Sequence, residues 1–291
     1  MLPKCLIWLL PAGSWASERL GKCEMAKTIA LIASLDTKRE ETLYAAELIR
    51  NSGYNSYVID ISTKDLLEGD ADLSPKEILS RFGVSWEEFE PLGKASSIDI
   101  MSKALASVTP ELYAEGRFDA VISIGGGQNA KMAATAMKTL PFGVPKIVAS
   151  SLACGKRTME QYVGDKDIMV MHTVADISGL NAITKTVIHS VCGAIMGMVQ
   201  YGKVFTSGKD KKILGATMLG ITSKGTERAL QLLSKSGLFE SVVFHANGVG
   251  GRCMENLIDE GRIDVVLDMT LHEITCEVIG GYCAGANNRL M

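Results

Sequence analysis

Apolar and polar positions along the chain fall into two repeating arrangements: short β-branched runs, and longer stretches with apolar residues three or four apart. Thr28 to Ser34 is an apolar run too short for a helix and reads as a buried strand. After Leu35-Asp36-Thr37-Lys38 the spacing turns helical through Leu43, Ala46 and Ile49, and Gly53 suits the stop. Thr37 and Glu40 have capping-box spacing, which predicts the helix start here. Tyr57 to Ile61 is a second strand. Residues 62–93 read as a polar excursion with short helices, because Ser74-Pro75-Lys76-Glu77 and the Ser85/Glu88 pair both carry the capping pattern. A longer helix follows through Ile98, Met101, Leu105, Val108 and Leu112, with a kink expected at Pro110 and an end at Gly116. Phe118 to Ile124 is a strand that runs into Gly125-Gly126-Gly127-Gln128-Asn129, and a helix through Met132, Ala136 and Leu140 leads to the strand Lys146 to Ser150. Ile168 to Thr173 is another strand. From Asn181 to Tyr201 a helix is apolar almost all round, which predicts burial, with close helix contact at Gly193 and Gly197.

The charged segment Ser207 to Lys212 reads as a linker, after which the pattern restarts. Strands are expected at 213–221, 241–245 and 264–269, and helices at 226–236 and 254–260. Residues 25–207 therefore form one α/β domain, and 208–291 a second that looks C-terminally truncated. Strand and helix in alternation imply Rossmann-like parallel sheets with right-handed crossovers. The first 24 residues read as a leader outside the fold, with Met25 as the real start and an export signal as the alternative.

A length of 291 residues suits about two domains. A net charge of -3 leaves no dominant positive field, which argues against nucleic acid or an anionic membrane as the primary partner. Seven cysteines without a C-x-x-C indicate neither a disulfide framework nor a zinc ribbon, and favour a reduced, cytoplasmic setting. No apolar stretch approaches the ~20 uncharged residues of a membrane span.

In parallel sheets ligands sit outside the strand carboxyl ends, where helix N-termini direct free N–H groups. That rule selects residues 34–38, 125–130, 150–156 and 173–181. The loop Gly125, Gly126, Gly127, Gln128, Asn129 is the sharpest signal: glycines let a phosphate approach the backbone, and the next helix adds its positive end. The alternative is a plain glycine turn. Gly125, Gly127 and Ala130 satisfy G-x-G-x-x-A, yet the next strand ends without the carboxylate a dinucleotide ribose needs, and no Walker A sequence exists. Lys38 and Thr37 could meet a phosphate and Asp36 a ribose or a metal-bound water, although capping also explains Thr37. Ser150 and Ser151 could bind phosphate or cap a loop. Cys154 reads as a small hydrophobe, and Asp176 and Asn181 as helix-start residues. In the second domain His245, Asp268, His272 and Glu273 fall near strand ends and are weak candidates for acid–base work, in a spacing that matches no metal motif.

The chain also resembles a known family. Leu35-Asp36-Thr37-Lys38, Val121-Ile122-Ser123-Ile124-Gly125-Gly126, Leu140 to Lys146, Val174 to Asn181 and Gly280-Gly281-Tyr282-Cys283 together are similar to the Tm-one-like ATP-binding family. That family comprises a plant tobamovirus resistance protein and many uncharacterised bacterial relatives. The resemblance covers essentially everything from Met25 onward. It implies two α/β domains, a homodimer, and an ATP site, with or without Mg2+, in which Asp36 to Lys38 and the glycine loop contact the nucleotide. Relatives commonly read Gly-Gly-Ser-Gly-Gly-Thr; here the last four are Gly127, Gln128, Asn129 and Ala130, so a hydroxyl is lost and side-chain amides are gained. Three functions follow as expectations: a cytosolic nucleotide-binding protein, a metabolic enzyme acting on a small phosphorylated or carboxylated substrate at the domain interface, or a non-catalytic dimeric scaffold stabilised by nucleotide.

Overall fold

The computed structural model describes residues 26–64, 69–154, 158–206, 208 and 210–286; the leader lies outside them. Five strands, β1 (Thr28–Ala33), β2 (Asn55–Asp60), β3 (Ala120–Gly125), β4 (Lys146–Ser150) and β5 (Met169–His172), form one sheet in the order β2-β1-β3-β4-β5. Every pairing is parallel. This is a doubly wound order whose direction reverses between β1 and β3. Alternate residues of β1 feed opposite layers: Ala30 and Ile32 pack with one buried cluster, and Ile29, Leu31 and Ala33 with the other. The first layer holds α2 (Pro75–Phe82), α3 (Trp86–Phe89), α4 (Lys94–Ala114) and α5 (Gly127–Met137); the second holds α1 (Leu35–Asn51) and α7 (Ala182–Tyr201). The short α6 (Thr158–Tyr162) precedes β5.

A second parallel sheet, β7-β6-β8, is built from β6 (Lys212–Met218), β7 (Phe239–His245) and β8 (Val265–Leu267), with α8 (Ser223–Ser234), α9 (Gly250–Asp259) and α10 (His272–Ile279). Its buried cluster is small, centred on Phe244, Met254 and Ile263. The sequence gives no sign of α10, whose start carries two of the proposed acid–base residues, His272 and Glu273.

Several expectations are corrected. The Thr37/Glu40 capping box is not formed; α1 starts at Leu35 behind Ser34, and Lys38 sits at φ -131, ψ 29, a break inside the helix. By contrast, α4 runs through Leu112 to Ala114 and stops just before Gly116 as expected, with Pro110 inside it. On α7 only one face is buried, through Val187, Ile188, Val191, Cys192 and Ile195. A methyl group added at Gly193 or Gly197 would meet open space, so the expected helix contact there is absent among the described residues.

The capping boxes at Ser74 and Ser85 form as expected, each serine accepting from a backbone N–H while the glutamate three residues on accepts from the serine N–H. Hydrogen bonds from Ser74 hold the Glu77 carboxyl below its ordinary range. The Ser74→Ala variant should lose about 1 kcal/mol in urea denaturation at neutral pH. Because the folded pKa of Glu77 is depressed, its contribution is present above the unfolded value of 4.5 and fades as pH falls through the folded one.

Candidate functional site

The switch point between β1 and β3 is where the two strongest sequence motifs meet. Ser34 ends β1, Gly126 follows β3, and a side chain joins them. Asn129, 6% exposed, accepts from the Ser34 N–H through Oδ1 at 3.0 Å and donates to Ser123 Oγ through Nδ2 at 2.9 Å. Each end of the carboxamide therefore has a partner within the protein itself. It also explains Gly125, where a Cβ would lie 2.8 Å from Asn129 Nδ2. Gly127 has a different reason: a Cβ there would lie 2.2 Å from a methyl of Leu152. Only Gly126, of these three, has open space where a side chain would stand. Two of the glycines thus answer to packing as much as to backbone approach.

Helix starts differ in how their N–H groups are used. At α1, Leu35 N–H donates to Asp60 Oδ1 and Asp36 N–H to Ser62 Oγ, both at 3.0 Å, and the Thr37 and Lys38 N–H groups donate to the Ser34 carbonyl. This start is sealed by residues of the second strand and the turn after it. At α9 the buried Glu273 carboxylate accepts from Gly248 N–H at 2.7 Å and Gly251 N–H at 3.1 Å. At α5 the first helical bond is Ala130 N–H to the Gly126 carbonyl, and no side chain caps the end. Among the described residues, the N–H groups of Gly127, Gln128 and Asn129 meet no acceptor. Such an end carries roughly half a positive charge.

These groups border a cleft of ≈ 450 Å³. One wall is Asp36, Thr37 and Lys38; the opposite wall is Gly126 to Asn129. Thr63 and Lys64, after β2, and Lys94, the first residue of α4, close the rim, while Ile98 and Met132 supply an apolar surface. Among the described residues of the lining, three lysines face a single carboxylate. Lys38 donates its ammonium to the Ile177 carbonyl, which ties the β5–α7 connection to α1; Glu41 secures the same connection by accepting from Gly179 N–H at 2.8 Å. Lys64 and Lys94 form no ion pair among the described residues. The sequence reading missed both, because neither stands in a strand-end motif: Lys64 follows β2 and Lys94 opens α4.

Ser150 and Ser151 do not join the cleft. Ser150 is fully buried and accepts from the Leu152 N–H at 3.2 Å; Ser151 donates to Asp176 at 3.4 Å. Asn181 caps α7, accepting from the N–H groups of Ile183 and Thr184. Cys154 is exposed and faces the Ser151 carbonyl, whereas burial pushes the Cys192 thiol up to about 12.

The four second-domain candidates stand apart from the cleft. Asp268 accepts from Thr217 Oγ1, Glu273 is committed to α9, and His272 Nε2 lies 3.8 Å from Cys276 Sγ. His245 ends β7. The second sheet docks on the first through the turn before β4 and the segment before β5: Phe142 N–H donates to Glu260 at 3.1 Å, Arg262 to the Phe142 carbonyl at 3.2 Å, and Cys253 to the Asp165 carbonyl at 3.5 Å. Those are strand amino ends, opposite the cleft. A cavity of ≈ 340 Å³ at this junction contains none of His245, Asp268, His272 and Glu273, so the acid–base candidates and the domain interface are separate places. No group of three or more metal-ligating side chains exists among the described residues.

Comparison with known proteins places the chain. It is 37% identical over 271 residues to a UPF0261 protein of Clostridium tetani, which covers 91% of this chain and 65% of that protein. It is 33% identical over 279 residues to the ToMV susceptible protein tm-1(GCR26) of Solanum lycopersicum, covering 89% of this chain and 36% of that one. Among solved structures, Acinetobacter baumannii MurG aligns at 15% identity and a TM-score of 0.31 over 83% of this chain and 65% of that one, a likeness too distant to carry any argument. The chain spans about two thirds of the length of the bacterial relative and about a third of the tomato one. Residues 27–203 match the N-terminal domain, and residues 211–291 the C-terminal domain, of one family, so the chain belongs to the Uncharacterised protein family UPF0261.

Proposed function

We propose that the cleft at the β1/β3 switch point binds a nucleotide through its phosphates, ATP being the first candidate. The observation that carries this is the uncapped start of α5, three backbone N–H groups opening onto a cleft bordered by Lys38, Lys64 and Lys94. Ile98 and Met132 offer an apolar surface of the kind a base or other uncharged portion would cover. Among the described residues Asp36 is the one carboxylate lining the cleft, so Mg2+ would be held chiefly by the phosphates, with Asp36 as the protein's contribution.

Binding is favoured over turnover. Among the described residues the lining contains no histidine or glutamate, and the acid–base candidates of the second domain lie elsewhere. A nucleotide that stabilises a homodimer, the assembly the resemblance implies, in the cytoplasmic setting that the cysteine usage favours, is the form this reading takes. Calorimetric titration with ATP, ADP and AMP, with and without Mg2+, tests it. Saturable binding with a rise in melting temperature is expected, and phosphate release should stay at background. Absence of heat and of any thermal shift at millimolar nucleotide removes the reading; release of phosphate in step with protein concentration replaces binding by hydrolysis.

A further inference from the structure

A buried hydrogen-bonded belt crosses the carboxyl ends of β2, β1 and β3. It begins at Asp60, 1% exposed, whose Oδ1 accepts from the N–H groups of Leu35 at 3.0 Å and Ser62 at 2.9 Å, and from the Ser62 hydroxyl at 2.5 Å. Ser62 Oγ in turn accepts from Asp36 N–H. The next residue toward β1, Ser34, donates its N–H to Asn129, and Asn129 donates to Ser123. One wall of the cleft is α1's first turn and the other is α5's first turn. The Asn129 carboxamide is the link that spans them.

Asn129 occupies the third position of α5, so its side chain springs from the same turn that carries the open N–H groups. Polar groups buried in such a place hold geometry well only when every partner is present, since an unpaired one is costly. Here both ends of the carboxamide are used, and Gly125 leaves the room it needs. A serine or alanine in its place could not reach both Ser34 and Ser123. Turning the side chain toward a ligand would break both bonds.

We propose that the Asn129 side chain is a positioning group: it fixes the open N–H groups of α5, its own included, against the Asp36–Lys38 wall and so sets ligand affinity without the carboxamide touching the ligand. This rests on the phosphate-binding reading above and adds to it the residue that preorganises the site.

The test is titration of ATP and of inorganic pyrophosphate into the wild-type chain and into Asn129→Ala, Ser123→Ala and Ile195→Val, each followed by thermal melting. Ile195 is a core residue of α7 with no part in the cleft. Asn129→Ala should weaken both ligands roughly ten- to a hundredfold, the loss that follows when the outer support of a preorganised site is removed. Ser123→Ala, which removes one of the two bonds, should fall between it and wild type. Ile195→Val should melt earlier and bind as wild type does. Amide spectra should show the Gln128 and Ser34 N–H signals moving together in Asn129→Ala, a coupling that general loss of stability does not produce. If Asn129→Ala folds and binds with wild-type affinity, the proposal is overturned; if it does not fold, unchanged affinity in Ser123→Ala overturns it instead. It is also overturned if Ile195→Val loses as much affinity for an equal drop in melting temperature. A wild-type chain that binds neither ligand disproves the phosphate-binding reading itself, a result distinct from all of these.

Discussion

Gln128→Glu is expected to bind nucleotide at least about a hundredfold more weakly than the wild-type chain while melting at a slightly higher temperature. The two effects have opposite signs and one cause. Gln128 is the second residue of α5, exposed, and lines the cleft beside the open N–H groups. A carboxylate in the first turn of a helix interacts favourably with the unpaired N–H groups, contributing about 0.3–1 kcal/mol at an exposed site. The same carboxylate stands where a phosphate would be bound. Two unit charges 4 Å apart at a protein surface repel by up to about 4 kcal/mol, and polyphosphates carry several charges. Even half of one such term, about 2 kcal/mol, is more than tenfold in affinity, and two phosphates reach a hundredfold. Gln128→Lys should reverse both signs, tightening binding and lowering the melting temperature slightly. Raising salt should narrow the gap between the variants. Titration and melting of the three proteins at two ionic strengths check the pattern. Equal affinities across the series would place the phosphates somewhere other than α5.

What could be read in advance divides by the range of the interaction that decides it. The Ser74 and Ser85 capping boxes were legible because donor and acceptor lie three residues apart. The strands from β1 to β4 were legible because an apolar run of five or six residues between turn signals has few other uses. The start of α1 was not, because its caps come from Asp60 and Ser62, some 25 residues away, and nothing near Thr37 records that. Gly127 looked like a phosphate-approach glycine, yet part of its requirement is Leu152, a contact made only once β3 and β4 are paired. Asn129 is legible as part of the glycine loop, but a sequence shows only that an amide is present and not that its carboxamide bonds to Ser34 and Ser123. Lys64 and Lys94 are illegible for a related reason: neither belongs to a capping or glycine signature, and only the fold brings the residue after β2 and the first residue of α4 to one rim. On α7, apolar composition suggested burial all round, but a helix over one face of a sheet needs only one covered stripe.

Lys146→Met should destabilise the chain by about 3 kcal/mol, the low end of what removing one partner of a buried ion pair costs. The Lys146 side chain is fully buried at the start of β4 and spends all three ammonium hydrogens: on the Pro141 and Val144 carbonyls at 2.9 Å each, and on Asp167 Oδ1 at 2.8 Å. Asp167 is 30% exposed and also accepts from Gly143 N–H, so water can relieve part of its loss, and the lower figure is the right one. The two carbonyls cannot be relieved so easily. They belong to the turn that carries Phe142, where Glu260 and Arg262 of the second sheet dock, so the variant should loosen that junction before it unfolds the first sheet. Guanidinium denaturation followed by two probes would then show separated transitions where the wild type shows them closer together. Adding Asp167→Leu should recover only part of the loss, because the carbonyls stay unpaired. The pH dependence gives an independent check. Burial pushes the Lys146 ammonium below its ordinary range despite the Asp167 partner, so the unfolded chain holds this proton more tightly than the folded one. Stability owed to this group therefore rises with pH between the lowered folded value and the unfolded value of 10.5, and that alkaline rise should vanish in Lys146→Met. A variant that keeps the wild-type slope, or that melts with the wild type, would mean the ammonium is not what holds the turn.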